Sequence, residues 1–224
     1  IVSDEGLFIR DRATGAFELH AVLEADKPHN RSNDGRMHPS GALWAGTMSK
    51  TNDKHAGAIY HVSKGVVTKL FDKITITNGI CFSPDGSRGY FVDSDTNLYM
   101  TVKLDPHTGL PMGRAELFTD QSASGSTCDG SVCDADGYIW NARWQGSAVH
   151  RFAPDGKLDA IYEVPPLQAT CPVFFGKDLN RMALTSAHVD LDDDTRAQSE
   201  AHGQTFELGV SVKGVQDAAY KLYV

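Results

Sequence analysis

One block recurs along this chain: an Asn or Asp beside Gly, a short run of small and apolar residues, a turn ending in Gly, and an aromatic-bearing strand. It reads Asn33-Asp34-Gly35, then His38-Pro39-Ser40-Gly41 and Trp44; Asn78-Gly79, then Ser83-Pro84-Asp85-Gly86 and Tyr90-Phe91; and Asp129-Gly130, then Asp134-Ala135-Asp136-Gly137 and Trp140. In each copy the polar residue stands eight positions before the turn Gly. A slot repeated around a common axis becomes one cluster in space, so Asn33, Asn78 and Asp129 are predicted to meet. Oxygen-bearing side chains converging on one point suggest a cation site.

The slots are 45 and 51 residues apart, close to the period of about 40 to 50 that marks propeller blades. A second submotif alternates with the first at Gly57–Val62, Asn97–Val102 and Ala148–Phe152, and reads as the outer hairpins of blades. Tight turns at Asp105–Gly109 and Pro154–Gly156 follow the second and third copies. The same signature opens the chain at Gly6–Asp11 and Phe17–His20, without inner strands before it. Phe174–Thr185 reads as the inner pair of a fourth blade and Thr205–Val212 as its next strand. The expectation is one all-β domain over residues 1–224, about four blades plus an outer hairpin, beginning inside a β-propeller.

Composition narrows the function. A net charge of -8 with no Lys/Arg cluster removes the footprint of a nucleic-acid binder. No apolar run approaches the roughly 20 residues that span a bilayer, and Ile1–Glu5 is unlike a signal peptide, so a cytoplasmic, membrane-free protein is expected. Cys81, Cys128, Cys133 and Cys171 form no CxxC pair, which predicts buried, reduced thiols. Cys171 is placed in the fourth copy of the slot. Trp44, Trp140 and Trp144 are read as blade-packing residues, and His188–His202 as a solvated loop. The nine histidines show no HExxH spacing, and no GxSxG elbow is present.

At Arg31-Ser32-Asn33-Asp34-Gly35-Arg36 and Gly41–Met48 the sequence resembles the SMP-30/gluconolactonase (regucalcin-like) family. The likeness continues in order through Asn78-Gly79-Ile80, Cys128-Asp129-Gly130 and Phe175–Asp178. It implies a six-bladed β-propeller, N-terminally incomplete in this chain, with one divalent cation in the channel and hydrolysis of sugar lactones as the activity. Carried onto this sequence, it makes Asn78 and Asp129 metal ligands, Asp129 the catalytic base, and Arg31 and Asn33 the substrate contacts. The family's first-blade Glu has no counterpart, since Glu5 and Glu18 lie on the opening hairpin, and the place of a further sugar-contacting Glu falls near Thr51. Oxygen ligands put Ca²⁺ first and leave Mg²⁺, Mn²⁺ and Zn²⁺ open. A non-catalytic calcium-binding or interaction propeller is the alternative.

Overall fold

In the computed structural model, which describes residues 1–222, period-2 patterning and glycine turns resolve into seventeen strands. The expected domain over 1–224 runs two residues past that range. A two-stranded hairpin of β1 (Gly6–Arg10) and β2 (Phe17–Val22) comes first. Three four-stranded antiparallel sheets follow. They are β3 (Asn30–Met37), β4 (Leu43–Ser49), β5 (Gly57–Ser63) and β6 (Val66–Ile74); β7 (Thr77–Phe82), β8 (Arg88–Asp93), β9 (Leu98–Lys103) and β10 (Glu116–Asp120); and β11 (Thr127–Cys133), β12 (Ile139–Trp144), β13 (Ala148–Phe152) and β14 (Leu158–Glu163). A last sheet holds β15 (Gln168–Phe175), β16 (Arg181–Ala187) and β17 (Thr205–Leu208). The propeller arrangement is as expected, but the described residues make four blades and a hairpin, not six blades. The reason is arithmetic: six blades of four strands need roughly 24 strands, against the seventeen present.

Burial follows position in the blade. β4 and β7 are buried at every residue, whereas β14 alternates between exposed and half-buried. Each seam between neighbouring sheets has its own apolar filling. Leu7, Leu23 and Tyr60 join the hairpin to the first blade; Trp44, Ile80 and Phe91 join the first to the second. Tyr90, Ile139 and Phe152 fill the next seam, and Trp140, Met182 and Leu208 the last. Trp44 is fully buried, edge-on to Phe82, and donates Nε1–H to the Gly109 carbonyl at 3.0 Å.

The repeated block has a structural cause. The three turn glycines, Gly41, Gly86 and Gly137, have φ of +88°, +71° and +86°, which β-carbon-bearing residues rarely adopt. The polar slot coincides with a break in strand register: Ser32 to Gly35, Asn78 to Cys81 and Cys128 to Ser131 each carry an extra residue against the partner strand. Such bulges unpair the backbone locally and re-aim side chains. The fourth copy is corrected here: β15 breaks register between Ala169 and Cys171, so Thr170 is the unpaired residue and Cys171 pairs with Thr185.

Two segments depart from a pure strand reading. The expected solvated loop contains a short helix, α1 (Asp193–Ala197), which Asp192 caps by accepting from the Thr195 N–H at 2.7 Å. After β17 the chain runs as a strap along one end of the sheets. Gly214 donates to the Leu179 carbonyl, Ala135 to Lys213 and Lys221 to Gly41, while Arg36 pairs with Asp217 at 3.0 Å. The Tyr220 hydroxyl lies 2.8 Å from His20 Nε2. No helix among the described residues is long and apolar enough to cross a membrane. All four cysteines are free, three buried and Cys171 half-buried.

Candidate functional site

The inner strands β3, β7 and β11 bring their slots to one end of the molecule. A cavity of about 300 Å³, open to solvent, is lined there by Arg31, Asn33, Asn78, Asp129 and Trp144. Every site residue expected from sequence is in it. That volume stands at the lower end of the range of small-molecule sites, roughly 300–1,000 Å³.

Asn33 joins the first blade to the second. Its Nδ2 donates to the Thr77 carbonyl at 2.8 Å and to Asn78 Oδ1 at 3.0 Å, and its Oδ1 accepts from Arg31 Nη1 at 2.8 Å. Both ends of this carboxamide are therefore engaged inside the protein. Arg31 is exposed and also donates to the Ser32 carbonyl, which leaves other guanidinium donors facing the cavity mouth.

Asn78 is buried and sits against Asp129. In one amide orientation its Nδ2 donates to Ser94 Oγ at 2.8 Å, and Ser94 in turn donates to the Cys128 carbonyl at 2.6 Å. The Asn78 oxygen then lies 3.1 Å from Asp129 Oδ1, acceptor against acceptor. Turning the amide converts that contact to a hydrogen bond and lets the oxygen accept from Ser94 Oγ, but brings the NH₂ groups of Asn78 and Asn33 within 3.0 Å. Neither arrangement satisfies every group with an ionised, unaccompanied carboxylate. A proton or a cation on Asp129 would resolve the first arrangement.

Electrostatics agree. Among the described residues no Lys, Arg or His lies within ion-pair reach of Asp129. Burial first, then the neighbouring Asp34 carboxylate, push Asp129 up to about 8, against a weaker opposing hydrogen bond from the Gly130 N–H. A divalent ion fits this place because it supplies the missing positive charge to hard oxygen donors. No group of three or more His, Cys, Asp or Glu side chains gathers as a metal cluster among the described residues.

Asp34, singled out in sequence only as a neighbour of Asn33, proves to be part of the scaffold. Its two oxygens accept from the N–H groups of Gly35 and Ile80, both at 2.8 Å, and so tie the first bulge to the second two residues beyond Asn78. Burial raises its carboxyl above the usual range despite those bonds and nearby Arg36. Arg143 was also unforeseen. Its fully buried guanidinium grips Ser124 Oγ, the Ser126 carbonyl and Cys128 Sγ beneath the Asp129 strand. Neither role has a signal in residue spacing. Cys128, pushed up to about 11 by burial, is a neutral packing group beside that arginine.

Residues 1–188 match the model of the SMP-30/gluconolactonase/LRE-like region. The chain is 53% identical over 222 residues to a protein of Rhizobium meliloti (strain 1021) named as a sugar lactone lactonase, covering 99% of this chain and 75% of that one. It is 32% identical over 208 residues to regucalcin of Xenopus laevis, covering 89% of this chain and 69% of the relative. The crystal structure of a calcium-binding protein, regucalcin, from Agrobacterium tumefaciens strain C58 superposes with a TM-score of 0.97 at 58% identity, over 99% of this chain and 75% of that one. Ordered slots, four propeller sheets and these similarities together place the chain in the SMP-30/gluconolactonase/LRE-like family.

Proposed function

We propose that this protein hydrolyses sugar lactones at the cavity bounded by Arg31, Asn33, Asn78 and Asp129. The observation that carries the reading is the contact of Asn78 with Asp129, a buried carboxamide 3.1 Å from a half-buried carboxylate that has no cationic partner among the described residues. The relative named as a sugar lactone lactonase supports the substrate class.

Asn78 and Asp129 would hold a divalent ion, Ca²⁺ first, which when bound supplies Lewis acidity at the lactone carbonyl. Arg31 meets the hydroxyls or carbonyl of the sugar from the mouth, and Asn33 positions both Arg31 and Asn78. Asp129 orients a water and accepts its proton as the oxygen adds to the carbonyl carbon. The ring C–O bond then breaks, and the leaving ring oxygen takes a proton to become a hydroxyl. A desolvated carboxylate is a stronger base than a solvated one, so the environment that raises Asp129 also suits it to the task.

A calcium-binding role without turnover is the second reading, favoured by the calcium-binding relative of known structure. Acid release from gluconolactone in a pH-stat, with and without EDTA, separates the two. Chelator-sensitive release above the spontaneous rate supports the enzyme. Tight Ca²⁺ binding with no release supports the binder.

A further inference from the structure

The three tryptophans do not share one role. Trp44 and Trp140 are buried, belong to apolar seams, and give their Nε1–H groups to the Gly109 carbonyl and to Asp134 Oδ2. Trp144 ends β12 immediately before the turn at Gln145–Ser147, is half-buried, and belongs to none of the four apolar seams. Among the described residues its Nε1–H has no acceptor. It lines the cavity with Arg31, Asn52, Asp129 and Asp190. The sequence expectation that all three pack blades is thus corrected for Trp144.

A large apolar ring in the wall of a polar cavity, with a free donor at its edge, has a chemical complement. The C–H face of a saturated, hydroxylated ring covers the indole, and a ring hydroxyl accepts from Nε1–H. Guanidinium donors on one wall and the Asp190 carboxylate on another give the remaining hydroxyls partners of both kinds. From this placement we infer that Trp144 is a specificity-determining residue, a wall that selects ring-closed polyhydroxylated lactones over small unsubstituted ones. The inference rests on the lactonase reading, yet concerns ligand recognition and not the chemical step.

The test compares Trp144→Leu and Trp144→Phe in the full chain loaded with Ca²⁺. Because Trp144 contributes to no core seam, both variants keep the fold. With gluconolactone, Trp144→Leu raises KM roughly tenfold while kcat stays within about twofold, Trp144→Phe lies between, and KM for γ-butyrolactone is unchanged. A Trp144→Leu KM for gluconolactone within twofold of the parent overturns the inference even when turnover is intact. Gluconolactam, which resists hydrolysis, gives a readout independent of chemistry. Since Trp44 and Trp140 are shielded, it should change the tryptophan fluorescence of the parent saturably and that of Trp144→Phe hardly at all. A parent that turns over no lactone refutes the enzymatic reading alone, and the fluorescence titration still decides for or against the aromatic wall.

Discussion

Cation binding should be steeply pH-dependent across neutrality, because proton and ion compete for one carboxylate. With Asp129 titrating at about 8, only about 1% of the metal-free protein carries it ionised at pH 6 and about 10% at pH 7. The apparent Kd for Ca²⁺ should therefore tighten about tenfold from pH 6 to 7, about fivefold from pH 7 to 8, and level off above. Binding near pH 7 should release close to one proton per ion. A solvent-exposed Asp, ionised since about pH 4, would give a flat profile. Calorimetric titrations in buffers of different ionisation enthalpy measure both quantities. Asp129→Asn should bind weakly and without slope. A parent affinity constant between pH 6 and 9, or a slope surviving in Asp129→Asn, refutes the assignment. Linkage gives a second check of sign. The folded state holds the Asp129 proton more tightly than the unfolded chain, so the stability this group contributes is fully present below about pH 4. It is lost as pH rises to about 8, at about 1.4 kcal/mol per unit, and saturating Ca²⁺ restores it.

Other outcomes follow from single contacts. Tyr60→Phe removes a 2.6 Å donor from buried Glu24, which also receives Lys27 and Asn30; urea unfolding should show a loss of about 1–3 kcal/mol. Trp44→Ala empties a seam and strands the Gly109 carbonyl, at a cost of about 3–5 kcal/mol by the same assay. Gly79→Ala places a β-carbon 2.9 Å from Val92 Cγ1 at a φ of +65°, so it should weaken Ca²⁺ binding through Asn78 as well as lower the Tm. Asp34→Ala releases the Ile80 N–H and should lower ion affinity, and Asp34→Asn should recover part of it.

Much of this architecture was legible because it rests on local rules. Turn glycines at +φ, alternating strands and a repeat near 45 residues need no distant information, and they located the blades. The convergence of Asn33, Asn78 and Asp129 followed from the same repeat, since equivalent positions must face a common axis. Residues whose importance comes from geometry across a seam stayed hidden. Asp34 matters for the amide it reaches on the next blade, Arg143 for the strand it underpins, and Trp144 for a partner its indole lacks. The six blades implied by resemblance are not met, because the described residues supply seventeen strands in four blades and a hairpin. The offset in the fourth slot arose because β15 holds its extra residue one place earlier than a count of spacing suggests.

The strap after β17 has a consequence for how this chain comes together. His20 and Tyr220 are separated by 200 positions, so their bond carries a large loop-closure cost and awaits nearly everything between them. The strap is therefore the last thread to be fastened and the first to come loose. Amide exchange at Gly214 and Lys221 should run ahead of the blades they cross, reporting a partial opening well below global unfolding.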